Sequence, residues 1–350
     1  MTDPPIRGPK CQGLERDSGD RVLSSYAISR VGFGAWAIGG PGWAYTGTAE
    51  RDAQSIAAML HAFERGVNWV DTAPVYGNGH SEELVGQALT LFGGRRPLVF
   101  TKCGRRWDGP DLPPRSDLRP DAIRTDCEAS LRRLGVDVID LLQFHWPDKG
   151  TGVPVEESWG ELLRLVAEGK VRAAGVCNFD AELLERCEAV GHVDSLQAPL
   201  SLIARDSADR LLPWCAAHGT AVIVYSPMQV GMLTDSFSAG HISRFDSEDW
   251  RRRHPEFQPP KLERNLALRD ALRPVAETHS TTVAAIAVAW TLAWPQVTCA
   301  IVGARTAEQV DGWIDGPTVT LSEGDLDAIS IALVATGAGS GPVRPSRQDG

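Results

Sequence analysis

The chain has 350 residues, 43% of them hydrophobic, and a formal net charge of −10 from 45 acidic against 35 Lys and Arg side chains. That charge argues against nucleic acid or an anionic membrane surface as a partner, and no apolar run approaches the length of a membrane span. The seven cysteines are scattered, with no Cys-x-x-Cys and no His at metal-ligand spacing, so neither a metal site nor a disulfide framework is indicated and reduced thiols fit a cytoplasmic protein.

In chain order, residues 1–20 read as a disordered leader without the apolar core of a secretory signal, and residues 336–350 as a disordered tail. Neither has enough apolar side chain to offset the entropy of ordering, so both are expected to be dispensable for folding. Between them, over residues 21–335, short apolar runs alternate with helical patterns. That alternation predicts one α/β domain, a (β/α)8 TIM barrel.

Strand one is expected near Val31–Gly34, followed by a loop holding Trp36 and Trp43 and a helix over Asp52–Arg65. Strand two ends at Asp71, and Ser81 is expected to cap the next helix, with Glu82 and Glu83 against its positive end. Strand three ends at Lys102; a proline-rich loop with Trp107 leads to a helix over Pro120–Leu134, whose proline suits a first-turn position. Strand four ends at His145, a helix covers Val155–Glu168, and strand five covers Val171–Val176. Strands six and seven fall at Ser195–Ala198 and Ala221–Tyr225. A long irregular segment from Met228 to Pro260 follows, of a length that is functional or mobile in most domains. Helices over Leu262–Glu277 and Thr282–Trp294 precede strand eight, Thr298–Val302, and helices starting near Ala307 and Ser322 complete the pattern. The basic clusters Arg105-Arg106 and Arg251-Arg252-Arg253 read as solvated loop faces. A doubly wound sheet is the competing architecture, but Gly32-Phe33-Gly34-Ala35-Trp36-Ala37 lacks the third glycine of a dinucleotide fingerprint and no helix follows it closely.

In a parallel barrel the C-terminal strand ends share one mouth. Asp71, Lys102 and His145 close three successive strands, and Tyr76 follows Asp71 in a turn rich in Pro and Gly, so the four side chains are expected to converge. A free phenol, with a pKa of about 10, is a poor acid near neutral pH. A lysine ammonium beside it favours the phenolate, and an aspartate paired with that lysine holds the charge in place. Tyr76 then serves as proton donor to a carbonyl oxygen that His145 polarises. Taken singly, Asp71 reads as a turn residue, Tyr76 as a half-buried loop aromatic, Lys102 as a strand-end charge and His145 as a core histidine; their common location reverses that reading.

At these residues the chain resembles the aldo-keto reductase family. The matching stretches are Asp71–Gly77 with Ser81–Gly86, Thr101-Lys102, Gln143–Asp148, Gly175–Phe179 and Val224–Met228, and the likeness runs from about Val31 to Leu333. The resemblance implies NADP(H) across the barrel mouth as hydride source. It implies that Asn178 and Gln197 hold the nicotinamide carboxamide, that Tyr225 stacks on the nicotinamide, and that Ser226 and Gly231 meet the pyrophosphate. Gly303 and Arg305, together with Gln309, fall in the segment that meets the adenosine 2′-phosphate, for which an arginine fork is suited. Three positions depart from the family pattern. Cys177 stands where Ser is usual, Leu200 where an aromatic is common, and Gly312-Trp313 where a Glu-Asn pair meets the adenine, so Trp313 is expected to stack there instead.

Trp36, Trp107 and Trp146 are expected to wall a substrate pocket. The function that follows is an NADP-dependent oxidoreductase interconverting aldehydes, ketones or sugars with alcohols. A nucleotide-binding redox sensor on the same barrel is the alternative, and a Schiff-base aldolase using Lys102 is a third reading. The expected partner is a small carbonyl, alcohol or sugar substrate, and neither the substrate nor the oligomeric state follows from the sequence.

Overall fold

Each short apolar run forms a strand, and eight of them close into a parallel barrel in a computed structural model of the chain, which describes residues 21–24, 26–40, 48–107, 112, 114–245 and 249–345. The expected leader, Trp43 and residues 346–350 lie outside the described residues. The barrel strands are Val31–Gly34, Trp69–Asp71, Leu98–Cys103, Leu141–Phe144, Ala174–Cys177, Ser195–Pro199, Ala221–Tyr225 and Val297–Gly303. Strand eight pairs back onto strand one, Ala300 opposite Val31 and Gly303 opposite Gly34, which closes the ring.

Both faces of such a strand are covered, so its alternating side chains feed two separate cores. Outward side chains such as Val70, Val99, Leu142 and Val176 pack under the helices. Inward side chains, among them Trp69, Phe100, Leu141, Ile223 and Cys299, fill the barrel. Trp69 and Phe100 stack there with ring centroids 4.8 Å apart. Strand one makes room for them with glycine: a Cβ at Gly32 would lie 2.2 Å from the Trp69 ring. A hairpin that the sequence reading did not anticipate, Arg21–Leu23 with Tyr26–Ile28, brings the buried side chains of Leu23 and Ile28 into this inner core.

The helices lie close to expectation, including Pro120–Leu134 and Val283–Leu292, the latter capped by the Thr282 side chain. The helix expected over Leu262–Glu277 is two pieces, Lys261–Ala271 and Arg273–Thr278. Pro274 has no N–H to continue the first ladder, so a second helix starts around it. Ser81 is not the cap of its helix. His80–Leu91 starts after Gly79, and the Ser81 hydroxyl turns inward to Ala35 O (3.0 Å) and Thr72 Oγ1 (2.9 Å). Glu82 is likewise buried, bonded to Thr101 Oγ1 and Arg133 Nε, both at 2.6 Å.

The tail expectation is corrected over residues 337–345. Ser340 forms a parallel bridge with Ala204, and the buried Arg205 guanidinium donates to Ala338 O and Gly341 O at 3.2 Å each. Hydrogen bonds hold this segment where apolar area would not, because its small residues let backbone meet backbone; a Cβ at Gly339 would lie 1.9 Å from Ile203 O. Among the described residues no helix is long and apolar enough to cross a membrane, and no group of three or more His, Cys, Asp or Glu is placed to hold a metal ion.

Candidate active site

Strand register brings the acid–base residues together at the C-terminal mouth. Asp71 closes strand two, Lys102 lies next to the end of strand three opposite Gln143 of strand four, and Gln197 faces Cys177 from strand six. Inside the mouth, Lys102 Nζ donates to Asp71 Oδ1 at 2.5 Å and to Thr72 O at 3.0 Å, and lies 3.4 Å from the Tyr76 hydroxyl. Gln197 Nε2 donates to the other carboxylate oxygen of Asp71 at 2.9 Å. Asp71 is thus bound on both oxygens, and Lys102 is wholly buried.

Two of these groups have displaced protonation equilibria. Burial works against the Lys102 ammonium, but Asp71 and Tyr76 outweigh it, so Lys102 is held protonated beyond its ordinary range. A lysine held as an ammonium by Asp71 has no free electron pair for a Schiff base, which counts against the aldolase reading. Burial pushes the Tyr76 phenol above its usual value, with Lys102 pulling it partway back. The expectation that lysine would make Tyr76 net more acidic is therefore corrected. Desolvation of the phenolate is the larger effect.

His145 follows strand four, its N–H bonded to Cys103 O at 3.1 Å. Its ring stands edge-on to Tyr76, centroids 5.6 Å apart. Burial and the Lys102 charge hold it well below the ordinary histidine range, so it is a neutral imidazole. Its Nδ1 is buried with no hydrogen-bond partner among the described residues.

A cavity of about 1240 Å³ opens over this group. Asp71, Tyr76, His145, Gln197, Tyr225, Ser226, Gly231, Gly303, Arg305, Gln309, Trp36 and Trp146 all line it. Lys102 sits behind Asp71 and Tyr76. Asn178 is not in the wall: its amide donates to His145 O (3.1 Å) and Cys177 Sγ (3.1 Å) and accepts from the Tyr225 hydroxyl at 2.8 Å, so both ends are used within the protein. Trp107 is not in the wall either; it packs against the small cluster of Ala73, Val75 and Tyr76. Trp313 is 1% exposed and packs in the outer core, and with Gly312 it also borders the cavity. After strands five and seven the backbone is bent unusually, with positive φ at Asn178 (63°), Ser226 (58°), Gln229 (47°), Val230 (54°) and Gly231 (91°). Such conformations concentrate at functional sites.

Several contributors were not read from the sequence. Gln143 is fully buried beside the acid–base group, and its Oε1 lies 3.4 Å from Gln197 Nε2. The period-two rule carried the signal, since Gln143 precedes His145 by two residues and shares its face. Trp250, from the long segment after strand seven, meets Trp36 edge-on at 6.2 Å and joins the cavity wall. Arg105, expected on a solvated face, also lines the cavity.

The fold and site can be set beside known proteins. The model of the aldo/keto reductase family matches residues 30–333. An NADH-specific methylglyoxal reductase of Escherichia coli is 33% identical over 309 residues, spanning 85% of this chain and 92% of its own. An aldo-keto reductase of Bacillus subtilis is 34% identical over 310 residues, spanning 88% of this chain and 91% of its own. Among solved structures, a glycerol dehydrogenase of Gluconobacter oxydans superposes with a TM-score of 0.83 at 35% identity, covering 95% of this chain and 100% of that one. An aldo-keto reductase of Klebsiella pneumoniae in complex with NADPH gives 0.68 at 25% identity, with 95% and 100% covered.

Proposed function

This chain belongs to the aldo/keto reductase family, and on that premise we propose that it is an NADP(H)-dependent oxidoreductase that interconverts small aldehydes, ketones or sugars with alcohols, Tyr76 exchanging the proton. The observation that carries the reading is the chain Gln197–Asp71–Lys102–Tyr76, with contacts of 2.9, 2.5 and 3.4 Å, ending in a phenol at the wall of a cavity that His145 also lines.

The donor set fits a dinucleotide. Among the described residues Gln197 Oε1 accepts only from the weak Cys177 thiol at 3.6 Å, and Gln197 and Tyr225 both line the cavity. Beyond them, Ser226, Gly231 and Gly303–Gln309 extend the same cavity, and Ala307–Asp311 begins a helix whose end favours phosphate. Asn178 would act at one remove, by fixing the Tyr225 hydroxyl. When bound, the nicotinamide supplies or accepts the hydride.

The chain's own residues do the rest. Tyr76 stays protonated at neutral pH and gives its proton to the carbonyl oxygen as negative charge develops there. Lys102, fixed by Asp71, stabilises the phenolate left behind. Neutral His145 donates a hydrogen bond to the same oxygen and holds it toward Tyr76. The preference for NADPH over NADH rests on Arg305 at the cavity wall after strand eight, a planar donor fork suited to a phosphate dianion. The methylglyoxal reductase relative is named as NADH-specific, so cofactor choice varies among such chains. Titration of the purified protein with NADPH and NADH, followed by tryptophan fluorescence, tests the reading. Tight NADPH binding weakened by Arg305→Ala is expected; equal affinity for both cofactors, unchanged by that substitution, would remove the NADP preference, and binding of neither would remove the oxidoreductase reading.

A further inference from the structure

The loop after strand three turns back on itself as a small hairpin, Arg105–Arg106 paired antiparallel with Arg115–Ser116. Four arginines crowd this loop, and three have carboxylate partners. Arg106 reaches Asp126 at 3.5 Å, Arg115 reaches Asp117 at 3.6 Å, and Arg119 reaches Asp117 at 2.7 Å. Arg105 has none. Among the described residues its one side-chain partner is a neutral hydroxyl, Ser116 Oγ at 3.2 Å.

Arg105 is also half-buried and lines the cavity together with Trp36, Pro114, His145 and Trp146. Burial disfavours its charge, and its charge in turn bears on His145. A cation that has lost part of its hydration and gained no counter-charge is held at a cost that a ligand anion can recover. The carboxylate nearest the reacting position, Asp71, is already occupied on both oxygens by Lys102 and Gln197. The cofactor does not account for the vacancy. Its phosphate positions in the reading above are Ser226, Gly231 and Gly303–Gln309, on the loops after strands seven and eight, whereas Arg105 belongs with the walls contributed after strands one, three and four.

We propose that Arg105 is a specificity-determining residue that binds the anionic group, carboxylate or phosphate, of a small aldehyde or ketone whose carbonyl is reduced at Tyr76. The inference rests on the oxidoreductase reading and deepens it by naming the substrate class. The tryptophans then flank the short apolar stem between the two polar ends, while Arg105 and Tyr76 fix those ends.

Steady-state NADPH oxidation with matched pairs of carbonyl compounds tests it: succinic semialdehyde against butanal, and glyceraldehyde phosphate against glyceraldehyde. One charge-assisted hydrogen-bonded pair predicts that kcat/KM for at least one anionic member exceeds that of its neutral mate by on the order of 10- to 100-fold. The advantage should lie mainly in KM, shrink as salt is raised, and collapse toward parity in Arg105→Gln, with Arg105→Lys retaining part of it. The pair that shows the larger ratio tells carboxylate from phosphate. Turnover of all four compounds without any preference for charge overturns the inference and leaves the oxidoreductase reading standing. A preference that survives Arg105→Gln assigns the anion to another residue and equally overturns it. No NADPH-dependent turnover of any compound, by protein that binds the cofactor, overturns both.

Discussion

Replacing Asp71 with Asn preserves the size of the side chain, removes its charge and turns one of its two acceptor oxygens into a donor, which breaks the buried ion pair from one side. In the wild type the Lys102 ammonium has Asp71 Oδ1 at 2.5 Å and Thr72 O at 3.0 Å, with no exposure to water. At an effective dielectric constant of about 20, unit charges at that separation attract by roughly 7 kcal/mol before desolvation is counted. Breaking a buried pair from one side has a net cost of about 3–5 kcal/mol, because the remaining charge is stranded. The variant should therefore be less stable by about that amount near neutral pH in equilibrium urea unfolding followed by circular dichroism. The pH dependence has a definite sign. In the wild type the folded-state Lys102 equilibrium lies above that of the unfolded chain, so its contribution is complete below the unfolded value of about 10.4 and is lost only as pH rises through the higher folded value. In Asp71→Asn the raising partner is gone and burial remains, so the folded state prefers neutral lysine; stability then climbs with pH up to about 10.4, and the gap to wild type narrows. The double variant Asp71→Asn with Lys102→Met should recover much of the loss, since it strands no charge. A single variant within about 1 kcal/mol of wild type at neutral pH, or a gap that widens as pH rises toward 10, would refute the reasoning.

Three further outcomes are expected. Tyr76→Phe should lower kcat by on the order of 10²- to 10⁴-fold while the fluorescence titration with NADPH is almost unchanged; loss of cofactor binding would contradict the role given to the hydroxyl. The buried neutral His145 binds fewer protons than it does in the unfolded chain once pH falls below about 6.5, so wild-type stability relative to His145→Gln should decline by up to about 1.4 kcal/mol per pH unit in that range, and a constant difference between the two proteins on acidification would count against it. Deleting residues 337–350 removes the acceptors at Ala338 and Gly341 from buried Arg205, at roughly 1–3 kcal/mol for each donor left unsatisfied, so the truncated chain should unfold at lower urea; an unchanged midpoint would restore the view of that segment as a dispensable tail.

The barrel was legible because its strands are bounded apolar runs and its helices begin at ordinary signals, as at Pro120 and Thr282. Asp71, Tyr76, Lys102 and His145 were legible for a different reason. Asp71, Lys102 and His145 are unusual residues at strand ends, Tyr76 follows one of them within a short turn, and the parallel barrel sends all such ends to one place. What stayed hidden depended on non-local contacts. Nothing local in Leu23 or Ile28 says that they pack inside the barrel, and the Gly- and Ser-rich composition of 337–341 conceals that its value lies in backbone donors and acceptors. Trp107 carries the same signal as Trp36, a tryptophan in a functional stretch and half-buried, and only the course of its loop leaves it outside the cavity wall. For Arg105 the sequence shows a charge beside another charge, whereas its distinction is that Asp117 and Asp126 pair with its neighbours and not with it.

The inner core beneath the acid–base group has one more bearing on how such a site would cycle. With Trp69 stacked on Phe100 and the hairpin residues Leu23 and Ile28 joining the same packed cluster, the barrel below the buried Asp71, Lys102, Gln143 and Gln197 is apolar, and the cavity lies above them on the mouth side. On the proposed reading, water that returns a proton to Tyr76 would arrive from that side, along the route by which product would depart. Vacating the site and resetting the acid would then share one doorway, and a lingering product would slow both.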